Sequence, residues 1–125
     1  PANPWFESGF ENSITIEIEN VEIRILTLPY FLATKFAAFE GRGGRDPRMS
    51  HDFEDIVYLL NYTSNFREKI EESDPVVQQY LKEQFAAIRD KANMQEAIIA
   101  NLYHEDQQVR FDRIMDEIKE LTNGI

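Results

Sequence analysis

The sequence predicts an α+β fold that is mostly α: a β-hairpin near the N-terminus followed by a bundle of about five helices. Three observations carry this expectation. Apolar residues alternate between Ser13 and Leu26, they recur at helical spacing from Pro29 to Leu121, and caps or breakers punctuate the helical stretch. Residues 1–65 are expected to hold the hairpin and two helices, and residues 66–125 a C-terminal helical bundle, together one compact domain.

The hairpin comes first. If Glu19-Asn20 is a two-residue turn, Ile18 faces Val21, Ile16 faces Ile23 and Ile14 faces Ile25, so all six lie on one side. Thr15, Glu17, Glu22 and Arg24 occupy the other side, which reads as solvent-facing. A two-stranded hairpin is marginal by itself, so a further layer is expected over the isoleucines.

Pro29 suits a first helical turn, and Tyr30 to Glu40 follow with helix formers until Gly41. At 100° per residue Phe31, Leu32, Phe36 and Phe39 form one apolar arc, and Lys35 falls inside it. Lys35 can snorkel along Phe31 and Phe39 with its ammonium in water, or hold that ammonium at the lip of a cleft. The next helix starts near Ser50, a good N-cap, and runs to Tyr62 with Phe53, Ile56, Val57 and Leu60 as its stripe. Asp52 and Asp55, three apart, lie together on one edge of that stripe. Their first-turn position also suits the helix dipole or a cap, so both readings stay open.

Beyond Thr63 the chain reads as helical to its end. Asp74-Pro75 pairs a cap with Pro at the first helical position, ahead of Val77, Tyr80, Leu81, Phe85 and Ile88. A break is expected at Asn93, before Met94, Ile98, Ile99 and Leu102. A last helix carries Phe111, Ile114, Met115, Ile118 and Leu121, closing at Asn123-Gly124. These stripes are ordinary core chemistry and predict helices packed on one another.

Composition narrows the function classes. With 125 residues the chain can bury a core without metal or disulfide, and zero cysteines exclude thiol chemistry and agree with a reducing, cytoplasmic setting. No apolar run reaches the roughly eighteen residues of a membrane span, and a net charge of −10 argues against general nucleic-acid or anionic-membrane binding. Within that acidic chain Arg42, Arg45 and Arg48 make a cationic island suited to a discrete anion. The loop Gly41-Arg42-Gly43-Gly44-Arg45 lacks the Gly-Lys-Ser/Thr ending of a Walker motif, and His51 and His104 have no partner at zinc-ligand spacing. No metal site is expected within the chain. A Lys in an apolar arc, an arginine loop and Asp-x-x-Asp in close succession form the candidate site.

The run from Ile23 to Phe39, followed by Arg42-Gly43, resembles the second half of AbiEii-type nucleotidyltransferases, the toxins of bacterial abortive-infection systems. Ser50-His51-Asp52-Phe53-Glu54-Asp55-Ile56 is similar to that family's Ser-x-Asp-x-x-Asp-Ile segment, and Asn3-Pro4-Trp5-Phe6 resembles the approach segment of one branch. The resemblance covers residues 3 to 65, and the later helices match in kind only. It implies Mg²⁺-dependent nucleotidyl transfer from a nucleoside triphosphate, on the C-terminal part of a nucleotidyltransferase-like fold. Lys35 and Arg42, with Arg45 beside them, would contact the nucleotide phosphates. Asp52 would be a polar active-site residue orienting Lys35, and Asp55 would brace the cluster.

The family's Gly-Ser segment and following Asp-x-Asp have no match: Ser8-Gly9 is reversed, and Glu17-Ile18-Glu19 belongs to the hairpin. With no initiator Met at Pro1, the chain reads as the C-terminal portion of a longer protein and is expected to be catalytically silent alone, with no tight cofactor binding. The partners implied are the N-terminal nucleotidyltransferase half, in the same or a separate chain, an antitoxin, and an RNA or protein acceptor. Through the hairpin a homo-oligomer is also expected. The alternative is a non-catalytic helical protein-interaction domain.

Overall fold

The computed structural model describes residues 3–42, 46–103 and 105–125. In chain order these form α1 (Phe6–Glu11), β1 (Ile14–Ile18), β2 (Val21–Ile25), α2 (Leu28–Gly41), a 3-10 turn (Pro47–Met49), α3 (His51–Tyr62), α4 (Phe66–Glu71), α5 (Pro75–Asp90), α6 (Ala92–Ala100) and α7 (Gln107–Leu121). The expected class holds: one antiparallel hairpin and a predominance of helix.

The hairpin has the expected register, with Ile14 opposite Ile25, Ile16 opposite Ile23 and Ile18 opposite Val21. Glu19 and Asn20 both adopt positive φ, 51° and 67°, the pair of left-handed residues that a tight turn matching the strand twist requires. No described element covers its apolar side: Ile14, Ile18, Val21, Ile23 and Ile25 are each 40 to 59% exposed. Its polar side is partly occupied. Phe10 of α1 lies 4.2 Å under the Arg24 guanidinium, whose Nε donates to Ser13 Oγ at 3.0 Å. The short α1 is held by close approach: a Cβ on the buried Gly9 would come within 2.6 Å of Leu26 Cδ2 and 3.3 Å of Tyr30 Cβ.

α2 is the central helix, packing on α1, α3, α4 and α5. That explains why Tyr30, Leu32, Ala33, Thr34, Phe36 and Phe39 are buried around most of its circumference, where a single apolar arc was expected. α3 begins as the sequence predicts, with Ser50 Oγ accepting from Phe53 N–H at 3.1 Å. Ser50→Ala is therefore expected to lower unfolding free energy by about 1 kcal/mol, with Ser50→Gly milder, in chemical denaturation.

Helix junctions in the C-terminal half depend on glutamines reaching back to the preceding helix. Gln78 Nε2 donates to Glu71 O (2.9 Å), Gln95 Nε2 to Arg89 O (2.8 Å) and Gln107 Nε2 to Ile99 O (2.8 Å). Each satisfies a carbonyl that a helix end leaves without an intrahelical partner. The second also moves the expected break. Lys91 is the extended residue between α5 and α6, and Asn93 lies inside α6, because Gln95 closes the α5 terminus two residues earlier. Arg113 does the same for α3, donating to the carbonyls of Leu60 (3.1 Å) and Asn61 (2.9 Å).

Asp74 precedes Pro75 as expected but makes no side-chain cap. Its Oδ2 accepts instead from Tyr30 Oη at 2.7 Å, tying the start of α2 to the start of α5. Burial, then the bond and charge of Asp74, push the Tyr30 phenol from 10.0 up to about 12. Below pH 10 both folded and unfolded Tyr30 keep the proton and its contribution is complete. As pH rises from 10 toward 12 the unfolded phenol ionises first, so stability falls across that window. Tyr30→Phe is expected to flatten that alkaline decline in pH-dependent thermal melts.

Candidate functional site

α2 and α3 pack against each other and bring their charged edges together. Lys35 Nζ lies 2.7 Å from Asp55 Oδ2 and 3.9 Å from Asp52 Oδ1, while Arg42 Nη1 donates to Asp52 Oδ2. The helical arithmetic behind this is simple. Lys35 sits one residue off the buried row on α2, and Asp52 and Asp55 share the edge of α3 that meets it. Arg42 is the C-cap of α2 and so stands at the mouth of the same seam.

Burial is unequal across the cluster. The Asp52 side chain is only 9% exposed, Lys35 26%, Asp55 47% and Arg42 74%. Lys35 thus lies in the α2–α3 seam, partly exposed and beside the Phe31 ring of its arc. Its ammonium is 5.6 Å from the Phe31 ring centroid, so it uses the aromatic wall and the carboxylates together. The ammonium carries three donors and Asp55 takes one; the Asp52 oxygen at 3.9 Å is beyond hydrogen-bond reach. Arg42 likewise keeps most of its guanidinium in water. Two cations and two anions make the cluster neutral, with Asp52 as its most buried member.

Arg42 and Asp52 open onto a cleft of about 520 Å³ lined also by Phe39, Asp46, Met49, Ser50 and His51. Arg42 also borders a second cavity of about 830 Å³ between Asn3, Phe6, Ala37, Gly41 and Tyr80. The approach segment is tied to the site helix there, with Asn3 Nδ2 donating to Thr34 O at 2.8 Å. At that cavity the Tyr80 phenol is pushed up to about 12, chiefly by burial and then by the Glu40 carboxylate.

The structure therefore brings together four of the five residues singled out from sequence: Lys35, Arg42, Asp52 and Asp55. Arg45, like His104, lies outside the described residues. Arg48 is not among the residues lining the cleft and pairs with Asp46, which is, at 3.3 Å. Phe39, Met49 and His51 were not proposed as cleft residues. Only the position of His51 beside Asp52 could have marked it, since Phe39 read as part of the apolar arc and no pattern set Met49 apart.

The donor set does not suit Mg²⁺. Both carboxylates are engaged by cations, and no group of three or more His, Cys, Asp or Glu among the described residues is placed to hold a metal ion. Phosphate chemistry suits it better, because Arg42 retains unused donors beside the cleft and Lys35 retains them in the neighbouring seam. Among the described residues no helix is long and apolar enough to cross a membrane. No family model, curated protein or solved structure matches the chain.

Proposed function

We propose that this chain is the C-terminal part of a bacterial, toxin-type nucleotidyltransferase, supplying a phosphate-handling corner to an active site completed by another segment. The observation that carries this reading is the convergence of Lys35, Arg42, Asp52 and Asp55 from two helices in one charged cluster, whose Arg42 and Asp52 open onto a cleft. In it Arg42 and Lys35 donate to the nucleotide phosphates, and the buried Asp52 fixes Arg42 from behind. Asp55 holds the Lys35 ammonium in the seam, so the cation is placed before substrate arrives. The carboxylates for Mg²⁺ belong, in this reading, to the completing segment with Gly-Ser and Asp-x-Asp. A cytoplasmic setting and an RNA or protein acceptor go with it.

The test is to sequence the gene upstream of the Pro1 codon and assay the whole product for transfer of labelled nucleotide to RNA and to protein. Labelling that falls at least tenfold in Arg42→Ala supports the reading. A gene without Gly-Ser and Asp-x-Asp, with no labelling, removes it. A second reading, a non-catalytic interaction domain, is favoured by the uncovered isoleucines of the hairpin.

A further inference from the structure

We infer that two copies of this chain associate through the open edge of β2, pairing antiparallel about Ile23 into a four-stranded sheet. The argument is independent of the phosphate site and starts from the direction of backbone groups. Ile18 and Val21 close the two-residue turn as a hydrogen-bonded pair, so Ile23 and Ile25 also aim their N–H and C=O at β1. Glu22 and Arg24 therefore aim theirs outward, along an edge that has no partner strand among the described residues. Every residue of β2 is exposed.

Side-chain order along that edge is its own complement. An antiparallel copy centred on Ile23 sets Glu22 opposite Arg24 of the second copy and Arg24 opposite Glu22 of the second copy. Ile23 meets Ile23, and Val21 meets Ile25. The pairing also relieves a like-charge contact within each monomer, where Glu17 stands directly opposite Glu22. In the joined sheet Glu22 lies between Glu17 and an arginine. The β1 edge offers no equivalent, because self-pairing about Ile16 sets Thr15 against Glu17. Joining β1 of one copy to β2 of another is head-to-tail and leaves open ends, whereas two β2 edges close with two-fold symmetry. Closure also brings the aliphatic residues of both hairpins onto one continuous sheet face, consistent with their exposure in the monomer.

The test is sedimentation equilibrium of the 125-residue chain over a hundredfold concentration range, with charge-reversal variants. Wild type is expected to reach twice the monomer mass. Glu22→Arg and Arg24→Glu, each placing like charges opposite each other twice, are expected to weaken association at least tenfold. The Glu22→Arg/Arg24→Glu double variant restores complementarity and is expected to dimerise again, and so is a mixture of the two single variants. Arg24 also contacts Phe10 and Ser13, so Glu22→Arg and the double variant carry the test if Arg24→Glu disturbs the hairpin. A wild-type monomer at every concentration overturns the inference. So does a Glu22→Arg variant that dimerises like wild type, which would place the contact on the isoleucine face, or a double variant that stays monomeric.

Discussion

Phe85→Ala is expected to cost about 3–5 kcal/mol, the largest single effect in this chain. Phe85 is fully buried on α5. Its ring meets Phe36 of α2 edge-on at 5.2 Å and Phe66 of α4 in a stacked arrangement at 6.0 Å. Truncation removes the transfer energy of the ring and both aromatic contacts, and leaves a cavity where three helices meet. In a protein of this size the thermal midpoint should fall by roughly 10–20 °C. Val76→Ala, on the exposed face of the same helix, should stay within about 0.5 kcal/mol and serves as the control. A small effect at Phe85 would mean that α5 does not seat between α2 and α4 as described.

Asp52→Ala is expected to be the most destabilising change in the charged cluster, at about 1.5–3 kcal/mol. It removes a charge-assisted hydrogen bond to Arg42 and a first-turn carboxylate that favours the α3 dipole. The Asp52 side chain is nearly buried, so water replaces little of what is lost, although the exposure of Arg42 limits the cost. Asp55→Ala, half in solvent, should cost under about 1 kcal/mol. Double-mutant cycles separate the pairs: coupling should be largest for Arg42 with Asp52, smaller for Lys35 with Asp55, and near zero for Lys35 with Asp52 at 3.9 Å. Equal coupling across all three would contradict the division of the cluster into an Arg42–Asp52 pair and a Lys35–Asp55 pair.

What could be read from the sequence follows from the strength of each local signal. The hairpin register was legible because alternation of period two, once a turn is placed, leaves one pairing that keeps six aliphatics on a side. The long helices were legible from their stripes, and Ser50 from its capping chemistry. Two short helices, α1 and α4, were not: six residues complete fewer than two turns, too few for a periodic pattern. The junction at Lys91 was hidden for another reason, since the cap comes from Gln95 on the following helix and no local rule points backward. The charged cluster was readable in part. Helical geometry set Lys35 within the apolar arc of one helix and the two aspartates on one edge of the next, but which face of α2 meets α3 was not legible because α2 is buried on several sides rather than one. Asp74, expected as a cap, took a partner 44 residues away that sequence spacing does not reveal.

The measurement that tests the central claim most directly is calorimetry of nucleoside triphosphate binding, with Mg²⁺, to the whole gene product, its Lys35→Ala variant and the 125-residue chain. The account predicts binding by the whole product, a loss of about 10- to 100-fold in Lys35→Ala, and no tight binding by the chain alone. A whole product that ignores every nucleotide, or binds equally well without the Lys35 ammonium, would contradict it and leave the α2–α3 cluster as a clamp between helices.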